Sequence, residues 1–242
     1  MGEGVRIQGL SINPNTHRQL ARTRVSSRKV RVMKAQEAKD KAKHDTERGL
    51  NAREIATLAK LENKNAQRKT EQINIVDANG NVVYTNNGSK NHVGVDAIGA
   101  VFAQDNVITH NHPAQTRRGV NLLGNGIASR IGLPLNGTDV SSAMRNNAKE
   151  VRASAQGYVF SVKRPKGGWK GTPEQVEKAF RYYWQRPTIS LQDYALGTHL
   201  RTPLDKDTQL NRQGRWNVAT QNAIMRQLSK DFGFTYTRRR LK

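Results

Sequence analysis

Apolar and polar positions change rhythm along this chain, and the changes mark its elements. From Glu71, residues Ile73, Ile75 and Val76 form a strand-like run, Asn79-Gly80 supplies a two-residue hairpin turn, and Val82-Val83-Tyr84 returns. Val93 and Val95 alternate as a further short strand, and Val107-Ile108-Thr109 predicts another that runs into His110. Asp139 precedes a helix expected over 140–154, with Gly157 ending it and Tyr158-Val159-Phe160-Ser161-Val162 returning as a strand. The stretch 71–163 is therefore expected to be a small mixed α/β unit.

Helical periodicity dominates on either side. Residues 28–48 are rich in helix formers and polar nearly all round, as in a helix that lies on a partner. Asn51 with Glu54 three residues on is a capping box, and Ile55, Leu58 and Leu61 give that helix one apolar edge. Thr172-Pro173-Glu174-Gln175 opens a helix whose Phe180, Tyr182, Tyr183 and Trp184 are expected in a core, with a base-stacking platform as the alternative. Residues 187–215 read as irregular. Trp216 to Phe232 predicts an amphipathic helix with Ala219, Ala223 and Leu228 inward and Gly233 as terminator. Three regions result: a basic, mostly helical arm over 1–70, an α/β module over 71–165, and a basic helical region over 166–242.

Charge sharpens this division. The 242 residues carry a formal net charge of +22. Residues 1–70 hold 17 Lys/Arg against 7 Asp/Glu, 71–162 hold 7 against 6, and 163–242 hold 17 against 6. Basic flanks around a neutral centre point to a polyanion, DNA or RNA, engaged by the arms, with Arg238, Arg239 and Arg240 neutralising phosphates. The chain has no cysteine, which excludes disulfides, thiolate metal sites and cysteine nucleophiles. No stretch is apolar enough to span a membrane, and no apolar signal segment follows Met1, so the bacterial cytoplasm or a phage particle is the expected location.

The chemistry concentrates in "VITHNHP". Two imidazoles at alternate positions of a strand face the same side and can converge on one ion; the duller alternative is a pair of polar residues on a loop rim. A hydrolytic zinc site wants a third protein ligand, and Asp139, opening the next helix, is the natural one beside His110 and His112. A general base is also needed, and Glu71 at the head of the first strand is the candidate. The other glutamate of the module, Glu150, is expected mid-helix and on the surface.

Glu71, then His110-Asn111-His112-Pro113, then Asp139 opening a helix resembles the JAB/MPN (JAMM) metalloproteases. "THNHP", "DVSSAMRNNAKEVRA" and "GYVFSVKRP" resemble JAB-like modules of phage-encoded proteins, over about 71–165. The resemblance implies zinc held by His110, His112 and Asp139, activation of water by Glu71, and cleavage of peptide or isopeptide bonds. Asn136 stands where the family has the serine that helps stabilise the oxyanion, and residues 113–138 are a longer connection than usual. "THNHPAQTRRG" also resembles a stretch of His-Me finger (ββα-metal) endonucleases, with Thr109 in place of that family's aspartate. A third expectation is a non-enzymatic component of a phage virion or nucleoprotein, binding nucleic acid or other virion proteins and keeping the module as a degenerate scaffold.

Overall fold

A computed structural model describes residues 47–89, 92–113, 133–155, 157–186 and 209–241. They belong to one compact unit, 43–242. Residues 1–46, Arg117, Arg118 and His199 lie outside the described residues, and so do most of the polar helix expected over 28–48 and most of 187–215.

The chain order is α1 (Ala52–Asn65), β1 (Gln72–Val76), β2 (Val82–Asn87), α2 (Ala97–Ala103), β3 (Val107–Asn111), α3 (Gly137–Arg145), β4 (Glu150–Ala155), β5 (Tyr158–Lys163), α4 (Pro173–Gln185), α5 (Gln209–Phe232) and β6 (Thr235–Arg240). The strands form one sheet in the order β2-β1-β3-β4-β5-β6. All neighbours are antiparallel except β3 and β4, which are parallel. The fold is mixed α/β, with a six-stranded mixed sheet and five helices among the described residues.

The capping signals read from the sequence are all present. Asn51 with Glu54 and Thr172 with Gln175 form reciprocal capping boxes, each satisfying backbone donors that a helix start leaves open. Gly80 takes φ 80° in the β1–β2 turn. That turn also docks on α1, since Asn51 Nδ2 donates to the Ala78 carbonyl and Thr57 Oγ1 to the Gly80 carbonyl.

Three expectations change. Val93 and Val95 lie in no strand; they pack as partly buried side chains against the core. The helix expected over 140–154 ends at Arg145. Asn147 takes φ 47°, its N–H reaches the Met144 carbonyl, and Ala148 N–H reaches the Ala143 carbonyl, which together form a Schellman closure. "EVRASA" then becomes β4, because pairing along β3 outweighs its weak helical preference. Finally, the boundary at 165 does not separate two folded units: β6 completes the same sheet, pairing with β5 from Tyr158–Arg240 to Lys163–Thr235.

The two sheet faces differ in character. One carries Ile73, Ile75, Ile108, Val151, Ala153, Phe160 and Val162 against Val140 and Ala143 of α3, Val176 of α4, and Ile224, Met225 and Leu228 of α5. Phe180, Tyr183 and Trp184 join this core as expected, whereas Tyr182 is exposed. Residues 218–225 of α5 are buried on every side, so the amphipathic reading captured only part of its burial. Two of its polar side chains are bonded there: Gln221 donates to the Pro134 carbonyl, and Asn222 accepts from the Tyr236 hydroxyl.

The other face is polar although it too is buried. Registers align Thr85, Asn74, Thr109, Arg152, Ser161 and Thr237 in one row across all six strands. Helix α1 covers this face with Glu54, Leu58, Glu62 and Asn65; of the apolar edge the periodicity suggested, Leu58 is buried with Val76 and Val107, Leu61 packs against them, and Ile55 is half-buried. Glu62 bridges Arg152 Nε at 2.6 Å and Arg239 Nη2 at 2.5 Å. Arg152 also binds Glu150, which accepts from Ser161, and Lys149 meets Glu54 at 2.8 Å. Glu150 is thus 1% exposed and structural, not a surface residue. An acidic helix face is what a sheet presenting two buried guanidiniums requires, because an unpaired buried charge is far costlier than a paired one.

Glu62→Ala takes the carboxylate from Arg239 and leaves Arg152 with Glu150, and is expected to lower unfolding free energy in urea by about 3–5 kcal/mol, while Arg240→Ala at the exposed strand end shifts it by less than about 0.5. A loss below about 1 kcal/mol for Glu62→Ala would mean that the guanidiniums are not held by this carboxylate.

Candidate metal centre

Strand β3 delivers the two histidines. Its neighbours on both sides hold its backbone in extended register, with Ile73 opposite His110 on β1 and Ala153 opposite His110 on β4. Alternation puts His110 and His112 on the apolar face, under the start of α3. That start is itself a capping box. Asn136 Oδ1 accepts from the Thr138 and Asp139 N–H groups, and Asn136 N–H donates to Asp139 Oδ2 at 2.7 Å. Gly137 is needed there, because a Cβ would stand 2.7 Å from Phe180 Cβ of α4.

The three side chains meet. His110 Nε2 lies 3.0 Å from His112 Nε2 and 3.3 Å from Asp139 Oδ1, and His112 Nε2 lies 3.8 Å from Asp139 Oδ2. One ligand atom from each falls within 4.8 Å of the others. The side chains are only 6%, 10% and 15% exposed. His112 Nδ1 donates to the Leu133 carbonyl at 2.6 Å, which directs its Nε2 lone pair toward His110 and Asp139. Tetrahedral zinc with bonds near 2.0–2.1 Å separates its ligand atoms by about 3.3 Å, so this donor set fits such an ion.

Electrostatics bind the cluster together. Burial alone would lower the His110 pKa, but its hydrogen bond to Asp139 and the charges of Asp139 and Glu71 raise it above the ordinary histidine value. Burial alone would raise Asp139, but His112 and His110 hold it below the ordinary carboxylate value. Glu71 is 4% exposed and lies just before β1, two residues along from the Ile73–His110 pair and on the same face. Its backbone bonds the β2 side, with Glu71 N–H to the Ser89 carbonyl and Gly88 N–H to the Glu71 carbonyl.

Glu71, the His110–His112 pair and Asp139 are thus brought to one region from three separate places in the chain. Asn136 adjoins them as the cap that holds Asp139; its Oδ1 is committed to the helix start. Arg238, Arg239 and Arg240 do not join this site. They lie on β6, with Arg239 bound to Glu62 and Arg240 over the Tyr158 ring. Sequence reasoning passed over two residues that shape the centre: Leu133, which offers only a backbone carbonyl and so leaves no signal, and Asn111, visible as the middle letter of the histidine pair.

Comparison with protein-family models, curated proteins and solved structures gives no match.

Metal uptake is expected to be proton-coupled. Zinc binds the neutral imidazole, and the raised His110 pKa keeps a proton on that ring at pH values where a free histidine has lost it. Apparent zinc affinity should therefore keep rising above pH 6.5 and gain about tenfold or more between pH 6 and pH 8, read by competition with a chelator. An affinity flat across that range would exclude a protonated His110 in the apoprotein.

Proposed function

We propose that the chain is a zinc-dependent hydrolase of JAB/MPN (JAMM) type, acting on peptide or isopeptide bonds. The observation that carries this reading is the convergence of His110, His112 and Asp139 within 4.8 Å, with the Glu71 charge bearing on the same cluster. His110, His112 and Asp139 hold the ion. When bound, a divalent ion there polarises a substrate carbonyl and lowers the pKa of water toward neutrality.

The chain's own residues do the rest. Glu71 takes a proton from the attacking water as its oxygen bonds the carbonyl carbon, then returns it to the amine nitrogen as the C–N bond breaks. His112 is held in one tautomer by Leu133, and Asp139 by the α3 cap, so neither must reorganise when the ion binds. Asn136 Nδ2 is the donor this side chain can turn toward a developing oxyanion. The endonuclease-like alternative is less well supported, because Thr109 is fully buried on the face opposite His110.

Metal analysis tests the reading. The purified chain should carry about one zinc, lost in His110→Ala and retained in Glu71→Gln, since the glutamate is not a ligand. A wild-type chain that takes up no zinc from micromolar solution overturns it.

The excess charge favours a second, compatible reading: a phage virion or nucleoprotein component that binds DNA or RNA through its basic regions. Arg238, half-buried, and Arg240, exposed, are the β6 arginines that could reach phosphates. Affinity for duplex DNA should then fall steeply and linearly with log salt concentration, and Arg238→Ala/Arg240→Ala should lower that slope by about 1–2. Salt-insensitive binding, or none, excludes it.

A further inference from the structure

The residue between the two histidines faces away from them. Alternation along β3 turns Asn111 to the sheet face opposite the cluster, where it is 1% exposed. Its carboxamide is used at both ends. Asn111 Oδ1 accepts from Gln72 N–H at 2.8 Å, and Asn111 Nδ2 donates to the Thr70 carbonyl at 3.1 Å. These two backbone groups flank Glu71.

The bonds occur where the backbone ladder runs out. Cα pairing of β1 with β3 ends at Ile73–His110. The next donor of β1, Gln72 N–H, is received by the Asn111 side chain in place of a backbone carbonyl. Beyond it, His112 N–H is committed to the Ser154 carbonyl of β4, and Pro113 has no N–H to give. A carboxamide has the donor and acceptor of a peptide unit and can extend a ladder by one step. Aspartate would set an oxygen against the Thr70 carbonyl, and alanine would reach neither group. Other polar groups on this face, Thr109 Oγ1 and Asn74 Nδ2, have no hydrogen-bond partner. Full use of the Asn111 carboxamide is therefore particular to this position.

Resting on the hydrolase reading, we infer that Asn111 is a positioning residue: it clamps the chain on both sides of Glu71 and holds that carboxylate over the ligand cluster. Glu71 is then tied along two edges, to β2 through its own backbone and to β3 through this side chain. The β2 bonds fix its height in the sheet, and the carboxamide stops the segment from swinging away from β3.

Full-length cobalt-loaded protein tests this, comparing wild type, Asn111→Ala, Glu71→Gln and the double variant. The readouts are cobalt content and the pH midpoint of the visible cobalt spectrum. A nearby carboxylate disfavours the more anionic form of the loaded site, so Glu71→Gln should move the midpoint down by about one pH unit. Asn111→Ala should keep its cobalt and move the midpoint the same way, and the double variant should go no further than Glu71→Gln alone. Exchange of the Gln72 amide should quicken about tenfold in Asn111→Ala, while that of Ile75 stays unchanged. If Asn111→Ala does not fold, Asn111→Ser carries the same test, being polar but too short to reach. An unmoved midpoint, additive shifts, or loss of cobalt like that of His110→Ala each overturn the inference and leave the hydrolase reading standing. A wild type that takes up no cobalt overturns both.

Discussion

Strand β3 is paired along both edges, antiparallel to β1 and parallel to β4, and this double pairing is the constraint on which the molecule depends. It allows no freedom in which side of the sheet each residue faces. His110 and Ile108 must face α3, while Thr109 and Asn111 must face α1. A slip of one position would put both imidazoles under α1 and expose the apolar core to polar side chains. The convergence of the histidines on Asp139, the apolar core and the Asn111 bonds on either side of Glu71 all depend on one five-residue strand held in register.

That register has a cost on its second face. The middle of the row, Asn74, Thr109, Arg152 and Ser161, buries hydroxyls, a carboxamide and a guanidinium beside a small apolar cluster of Leu58, Val76 and Val107. Helix α1 offsets this by presenting two glutamates about two turns apart, Glu54 and Glu62, and β6 sends Arg239 in to share the second. Replacing such a network with well-packed apolar residues is often neutral or stabilising, so its presence does not mean added stability. It does impose specificity: a shift of α1 by one turn would carry Glu62 away from both Arg152 and Arg239. The N-cap of α1 and its contacts to the β1–β2 turn keep the same position from the other end.

Much of this was legible in the residues. Capping boxes at Asn51 and Thr172 and the Asn79-Gly80 turn satisfy backbone groups locally, so their signals survive without knowledge of the rest of the chain. The histidine pair was readable for the same reason, since period-two alternation is a property of the strand itself. Glu150 and Arg152 were misread because "EVRASA" suits a helix by composition; only the adjacent β3 edge makes it a strand. The Asn147 turn that ends α3 before both of them was passed over in the sequence, although asparagine is the residue other than glycine that most readily closes a helix in the left-handed conformation.

The sequence by itself determined where the helices with capping boxes at Asn51 and Thr172 begin, which residue types could bind a metal, and how charge is distributed. These follow from interactions that span a few residues, or from composition. Only the tertiary structure decided that His110, His112 and Asp139 converge, that α1 turns an acidic face inward, and that a run of arginines at the end of the chain is a sheet strand. Each of those depends on a partner tens to well over a hundred residues away, and whether a charge is buried or solvated is fixed by that partner, not by its neighbours in the chain.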